Sequence, residues 1–191
     1  MKLKITNVRL AFPDLFEAKE FEAGDGKPRY SATFLVEPGS ENDKAIRKAL
    51  ADVVNEKHGA KGPEKLKAFM GDKQKTCYVD GDKKEYQGFE GMMALAAHRQ
   101  AKDGPVGVYG NVIDPQTGKV AVLTQASGKP YGGCYVNATV DFYVTEGKYP
   151  GVRCGLIAVQ FAKDGDSFGG ASRASADDFE PVEGADAEEI A

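Results

Sequence analysis

The sequence has 191 residues, of which 41% are hydrophobic and 28% are charged. This length and composition are typical of one globular domain with an extension, and they exclude a fully disordered or collagen-like chain. No stretch approaches the ~20 consecutive apolar residues that a membrane-spanning helix needs, and the N-terminal residues lack the apolar block of a signal peptide. The sequence therefore predicts a cytoplasmic protein.

The charge is distributed unevenly along the chain. Residues 176–191 contain seven Asp and Glu residues and no Lys or Arg. Removing these seven from the 29 acidic residues leaves 22 acids against 25 basic residues, so the rest of the chain is weakly basic. A basic body with a tail of opposite charge suggests an anionic ligand that the tail can mimic or repel.

Alternating apolar residues predict two strands in the N-terminal part. In residues 2–12 the alternation changes phase near Thr6 and Asn7, which predicts a β-bulge there. The polar residues 13–29 begin with a proline and predict a loop. Alternation in residues 30–36 then predicts the second strand.

Two helices are predicted next. Ser40 is a candidate N-cap, the apolar residues in 46–54 form one helical stripe, and Gly59 follows the end of that stripe. A shorter second helix is predicted between Pro63, at a first helical position, and Gly71. Both helices are expected to pack on the sheet.

The remaining pattern is β. Strands are predicted over residues 92–99, 120–124, 134–145 and 152–162, and the last two are expected to form a hairpin. After Phe168 the chain becomes rich in Gly, Ser, Ala and acids, which predicts a domain over residues 1–168 and a flexible, disordered acidic tail over 169–191. The fold class is α+β, mainly β, with an antiparallel sheet; alternation alone does not distinguish an OB-fold-like barrel from another small barrel or an open sheet.

The sequence offers little for catalysis. It has no nucleophile elbow, no phosphate-binding loop and no dinucleotide-binding glycine motif. His58 and His98 have no metal-ligand spacing, and the three cysteines show no C-x-x-C pattern, so free, buried thiols are expected. Asp80 and Asp82 are expected to form a solvated turn, because the glutamate that completes a calcium loop is missing. We expect no metal, no cofactor and no enzymatic activity.

Aromatic residues stand beside basic or polar neighbours in the β part of the chain. Single-strand binders combine cations that track phosphates with aromatic rings on which bases stack. The expected phosphate contacts are Arg99, Lys129 and Arg153, and the expected stacking residues are Tyr86, Tyr131, Tyr135 and Tyr143. Each of these tyrosines has cross-strand packing as an alternative role.

Four segments in the C-terminal third carry a family resemblance. They are Tyr131-Gly132-Gly133-Cys134-Tyr135-Val136-Asn137-Ala138-Thr139-Val140-Asp141-Phe142-Tyr143, Gly151-Val152-Arg153-Cys154-Gly155-Leu156, Phe168-Gly169-Gly170 and Ala176-Asp177-Asp178-Phe179. These segments resemble phage single-stranded DNA-binding proteins. The resemblance implies an OB fold that binds single-stranded DNA with little sequence preference during replication, recombination or repair.

The resemblance also implies that the acidic tail engages replication or recombination proteins. The residues expected to do so are Asp177, Asp178, Phe179 and Glu180. The chain ends on Glu188-Glu189-Ile190-Ala191, without the terminal aromatic residue of better-known bacterial tails, so docking through the last residue is not implied. A homo-oligomer is compatible with this prediction.

Two alternatives remain at this point. An OB-like protein-interaction adaptor would bind a protein partner and no DNA. A metal-dependent DNA-processing enzyme would use clustered acids such as Asp80, Asp82 and Asp141 and would turn over DNA with magnesium.

Overall fold

The computed structural model describes residues 1–20 and 26–168, so the predicted acidic tail over 169–191 lies outside the described residues. The elements in chain order are β1 (Lys2–Lys19), β2 (Arg29–Val36), α1 (Glu41–His58), α2 (Gly62–Met70), β3 (Tyr78–Asp80), β4 (Met93–Gln100), β5 (Gly107–Ile113), β6 (Val120–Val122), β7 (Tyr135–Thr145) and β8 (Gly151–Lys163). Within these two ranges, no helix has the length and apolar character needed to cross a membrane.

Five strands close into a barrel. The eight strands are ordered β3-β4-β2-β1-β7-β8-β5-β6, and an additional β4–β8 pairing joins two strands from different parts of this order. That pairing is parallel, with His98 opposite Gly155, and it closes β1, β2, β4, β8 and β7 into a ring. The prediction of a mainly β, OB-like barrel with one main helix is confirmed.

Strand β1 pairs with β2 along one edge and with β7 along the other, and it contains two bulges. Asn7 has φ 53°, and the register with β7 shifts between Ile5 and Val8, which confirms the predicted first bulge. Phe12 has φ 49°, and the register with β2 shifts between Ala11 and Asp14.

The predicted loop over residues 13–29 is wrong in its first part. Strand β1 continues through Pro13 to Lys19, and Leu15 is buried in the core. Pro13 is compatible with a strand here because it lies at the bulge, where the backbone hydrogen-bond ladder is interrupted. The connection between β1 and β2 therefore begins only after Lys19.

The β7–β8 hairpin forms as predicted. Val136, Ala138, Val140 and Phe142 are buried, while the residues that alternate with them are half-buried or exposed. Cys154 lies opposite Phe142, and Cys134 lies before the start of β7, so these two thiols do not meet. All three cysteines are free and buried, and burial raises the pKa of Cys77 to about 12.

Helix α1 begins at the predicted cap, where the Ser40 side chain accepts a hydrogen bond from the Asp43 backbone N–H at 3.2 Å. Its stripe, including Ile46 and Leu50, joins the barrel core. The buried Asp43 carboxylate accepts hydrogen bonds from the Tyr78 hydroxyl at 2.7 Å and from Arg47 Nε at 2.8 Å. This contact ties α1 to β3. The shorter α2 with Pro63 near its start is also as predicted.

Candidate nucleic-acid interface

A cleft of about 830 Å³ lies on the outer face of the barrel. Strands β2, β4, β7 and β8 and the β7–β8 turn contribute to its lining, which includes Arg29, His98, Arg99, Tyr143, Tyr149 and Arg153. The cleft thus lies between the first residue of β2, which follows the β1–β2 connection, and the β7–β8 turn. In OB folds, the loops at these two positions flank the surface that binds oligonucleotides.

The structure brings three predicted residues together in this cleft: Arg99, Tyr143 and Arg153. Tyr143 of β7 lies opposite Arg153 of β8, and its side chain is 44% exposed. A Cβ at Gly155 would lie 3.7 Å from Tyr143 Cε1, so the missing side chain leaves the floor under this ring open. An aromatic face and a guanidinium group therefore stand side by side on an accessible surface.

Arg99 has a second role within the cleft. Its Nε donates a hydrogen bond to the Gly104 carbonyl oxygen at 2.8 Å, and its guanidinium also binds the Asp103 carbonyl oxygen. These bonds hold the turn that follows β4. Arg99 consequently shapes the rim of the cleft as well as adding positive charge to it.

Three further residues of the cleft were not among the predicted site residues: Arg29, His98 and Tyr149. His98 is half-buried, and burial together with the charges of Arg29 and Arg153 lowers its pKa. Tyr149 is largely exposed in the β7–β8 turn, where its carbonyl accepts a hydrogen bond from the Thr145 hydroxyl at 2.8 Å. In the sequence, Arg29 could have been found from its positive charge at the start of a predicted strand, and Tyr149 from its place in the predicted hairpin turn.

Two acidic residues line the cleft, Asp103 and Asp141, and Asp141 is ion-paired. Asp141 Oδ1 lies 2.8 Å from the N-terminal ammonium group. Asp80 and Asp82 lie elsewhere, in the turn after β3, where each accepts a backbone N–H: Asp80 from Asp82 and Asp82 from Gly91. Over residues 1–20 and 26–168 no group of three or more His, Cys, Asp or Glu side chains is placed to hold a metal ion.

Lys129, Tyr131 and Tyr135 lie together, apart from the cleft. Lys129 Nζ lies 2.8 Å from Asp164 Oδ2, and the Tyr131 hydroxyl donates to Asp164 Oδ1 at 2.9 Å. Lys163 Nζ lies 4.4 Å from the centroid of the Tyr135 ring. These contacts hold the residues after β8 against the barrel.

The end of the described chain is fixed in the same region. The Phe168 backbone N–H donates to the Gly132 carbonyl oxygen at 3.0 Å, and the Arg9 guanidinium lies 4.4 Å from the Phe168 ring centroid. Gly88 and Gly133, both at positive φ, leave room for this segment: a Cβ at Gly133 would lie 2.0 Å from the Asp166 carbonyl oxygen. The domain boundary near Phe168 stays a prediction, because residues 169–191 lie outside the described residues.

Tyr86 lies in a third place, beside Phe12 and Phe89, and is 51% exposed. The predicted set of seven residues is thus divided among three surfaces. Only the cleft combines several cations, exposed aromatic rings and the position that OB folds use for oligonucleotides.

A family model described as Enterobacter phage Enc34, ssDNA-binding protein, matches residues 1–191. The chain belongs to this family. A curated relative, putative protein p50 of Acyrthosiphon pisum secondary endosymbiont phage 1, is 40% identical over 193 residues, which cover 100% of this chain and 98% of the relative.

Two solved structures show the same fold as this member of the Enc34 family. The single-stranded DNA-binding protein of bacteriophage Enc34, in complex with single-stranded DNA, is 23% identical with a TM-score of 0.64, covering 88% of this chain and 89% of that chain. The gp2.5 single-stranded DNA-binding protein of bacteriophage T7 is 12% identical with a TM-score of 0.55, covering 95% and 98%. The predicted family and the OB-like fold are confirmed.

Proposed function

We propose that this protein binds single-stranded DNA without sequence specificity and protects it during phage DNA replication, recombination or repair. Membership of the Enc34 family gives the class of ligand. The observation that carries the proposal is the cleft, where Tyr143 and Arg153 stand side by side between the two connections that flank OB ligand sites. The protein acts in the cytoplasm of the host cell and does so by binding, without turnover of the DNA.

The cleft supplies two kinds of contact. Arg29, Arg99 and Arg153 attract the phosphates, and this contribution weakens with added salt because binding releases counterions from the DNA. Tyr143 and Tyr149 offer ring faces to unpaired bases. Burial raises the pKa of the Tyr143 hydroxyl, so this side chain is neutral at pH 7 and does not repel phosphate.

The cluster of Lys129, Tyr131 and Tyr135 has a different main role in this proposal. Because Lys129 and Tyr131 bind Asp164, and Lys163 covers the Tyr135 ring, these side chains are engaged within the protein. They support DNA binding indirectly, by holding residues 163–168. That they contact DNA directly stays a prediction of the sequence.

The acidic tail regulates the cleft in this proposal. The seven negative charges in residues 176–191 compete with DNA for the basic surface. The residues that engage replication or recombination proteins in this proposal are Asp177, Asp178, Phe179 and Glu180. The competition follows from charge alone and weakens as salt screens it.

Substitutions in the cleft test the proposed function. Tyr143→Ala removes a stacking face and is expected to weaken oligonucleotide binding roughly 5- to 100-fold. Arg153→Ala is expected to weaken binding. Because it removes one phosphate contact, it should also reduce the slope of log K against log salt concentration by about one. The measurement is fluorescence anisotropy with a labelled single-stranded oligonucleotide, and thermal unfolding verifies that each variant is folded.

The matched control is Val122→Ala, which shortens a 72% exposed side chain on β6, outside the cleft. It should bind as the unmodified chain does. If Tyr143→Ala and Arg153→Ala also bind unchanged, the cleft is not the DNA site. A chain that binds a stable protein partner but no oligonucleotide would instead be the adaptor.

A further inference from the structure

Phe12 and Tyr86 form an exposed pair of aromatic rings on the barrel. Their centroids are 4.9 Å apart at an interplanar angle of 72°, and the side chains are 52% and 51% exposed. Phe89 is buried beneath them, with its centroid 5.9 Å from that of Phe12 and 5.5 Å from that of Tyr86. Two large apolar faces are thus presented to solvent on a packed support.

The backbone that presents Phe12 is unusual. Phe12 has φ 49°, in the left-handed region that residues other than Gly, Asn and Asp seldom occupy. The bulge between Ala11 and Asp14 carries this conformation. Regular alternation would turn Phe12 into the core beside Leu10, whereas the bulge turns it outwards. A strained backbone that exposes an apolar ring points to a binding role, because it lowers the stability of the fold without improving its core.

Tyr86 is held in place by successive turns. The Tyr86 backbone N–H donates to the Lys84 carbonyl oxygen at 2.9 Å, and the Tyr86 carbonyl oxygen accepts from the Phe89 N–H at 3.2 Å. Lys84 Nζ lies 5.9 Å from the Phe89 ring centroid, and its partial burial lowers the pKa of the ammonium group. The surface therefore combines two ring faces with a nearby cation.

This surface and the cleft lie on the same barrel sheet. Strand pairing places Asp141, Gly155, His98, Ser31 and Asp14 in one row across the five barrel strands. The step from Gly155 to Asp14 crosses three strand spacings, or about 14 Å. Phe12 stands two residues from the end of this row.

The surface between the cleft and the ring pair carries small side chains. On the outer face of β2 and β4 these are Ser31 and Thr33, which are buried, and Ala96, which is half-buried, so no large side chain stands between the two sites. Asp14, the acid at the end of the row, is paired with Lys19 and accepts a hydrogen bond from the Ser31 hydroxyl at 3.2 Å. Its charge is therefore compensated.

We propose that the Phe12–Tyr86 pair is a second base-stacking site for the DNA strand that occupies the cleft. The proposal rests on the proposed function. The strand crosses β8, β4 and β2 and reaches Phe12 on β1, so that an unpaired base contacts the two rings and Lys84 neutralises an adjacent phosphate. Tyr86 was already expected to stack on bases from the sequence, whereas Phe12 was not, and the proposal adds Phe12 as the second ring of the site.

The test uses the full chain and a labelled oligothymidylate of about 20 nucleotides, a length that exceeds the ~4–16 nucleotides that one OB fold occupies. Phe12→Asn removes the ring and keeps a residue that tolerates positive φ. Tyr86→Leu removes the second ring, and Tyr86→Phe retains it. We expect roughly 5- to 100-fold weaker binding for Phe12→Asn and Tyr86→Leu, and near-unchanged binding for Tyr86→Phe and the control Val122→Ala.

Ultraviolet cross-linking of the oligothymidylate to the unmodified chain, read out by mass spectrometry, should place a cross-link on Phe12 or Tyr86. Unchanged affinity for Phe12→Asn and Tyr86→Leu with no cross-link there, while Arg153→Ala still weakens binding, would overturn this site and leave the proposed function standing. Tighter binding by the two ring variants would also overturn it, since the rings would then hold the acidic tail. If Phe12→Asn does not fold, the comparison of Tyr86→Leu with Tyr86→Phe decides. No salt-dependent binding by the unmodified chain would remove the proposed function itself.

Discussion

His98 shows how single residues in the cleft acquire properties that the sequence does not carry. Its neighbours along the chain are Ala97 and Arg99, yet its pKa is lowered by burial and by Arg29 and Arg153, which come from β2 and β8. The sequence indicated an ordinary histidine at a strand end. The strand position was correct, whereas the two arginines reach His98 only through the β4–β2 and β4–β8 pairings.

The charge state of His98 predicts a pH dependence of DNA binding. In the free protein the lowered pKa keeps His98 neutral at pH 7. Phosphate bound by Arg29 and Arg153 offsets their charge and raises the pKa of His98, so the complex takes up a proton. Affinity should therefore rise as pH falls from 7 towards 5.

Isotherms measured across this pH range for the unmodified chain and for His98→Gln test the point. His98→Gln should lose most of the increase, and His58→Gln should keep it as the matched control. In the free protein the same shift has the opposite consequence for folding: the unfolded chain binds the proton more readily, so His98 lowers stability as pH falls below about 6.5. Equal pH dependence in all three proteins would contradict this account of His98.

At the scale of elements, local signals predicted most of the fold. The N-cap at Ser40, the stripe of α1 and the β7–β8 hairpin are each specified by residues close in sequence, and each was predicted. The continuation of β1 through Pro13 was not, because it depends on a bulge that pairing with β2 stabilises. The parallel pairing of β4 with β8 joins residues that are far apart in sequence, so only the family resemblance indicated it.

The candidate site was predictable to the same degree. Alternation placed Tyr143 on the polar face of its strand, Arg153 was predicted as a phosphate contact beside the hairpin turn, and the structure places the two side by side. The same rule put Tyr135 on the polar face as well, but in the structure Lys163 covers its ring and Gly165, after β8, lies against it. Which outward-facing ring is left accessible depends on the segments that return over the sheet, and alternation does not report them.

The acidic segment over residues 176–191 gives a prediction of its own. Its deletion removes seven negative charges, so the affinity for single-stranded DNA should rise, most strongly at low salt. Replacing the Asp and Glu residues of the segment by Asn and Gln is the matched control, because it keeps the length and removes the charge. Both variants should behave alike in a titration across salt concentrations. No tightening at any ionic strength would contradict the competition.

At the scale of the whole molecule, the fold and the charge pattern serve one purpose. A closed barrel carries a cleft of arginines and tyrosines on one outer face, and α1 is tied to β3 by the hydrogen bond between Asp43 and Tyr78. Two acids line the cleft, Asp103 and Asp141, and Asp141 is paired with the N-terminus; seven of the 29 acids of the sequence fall in residues 176–191. The body is left weakly basic, which suits a ligand bound through phosphate and unpaired bases.

The measurement that tests this account most directly is the affinity of the full chain for single- and double-stranded oligonucleotides of the same sequence over a salt series. We predict a preference of about tenfold or more for the single strand, because stacking on Tyr143 and its neighbours requires unpaired bases. The logarithm of the binding constant should fall linearly with the logarithm of salt concentration. Equal affinity for both forms, or binding that salt does not weaken, would contradict the account.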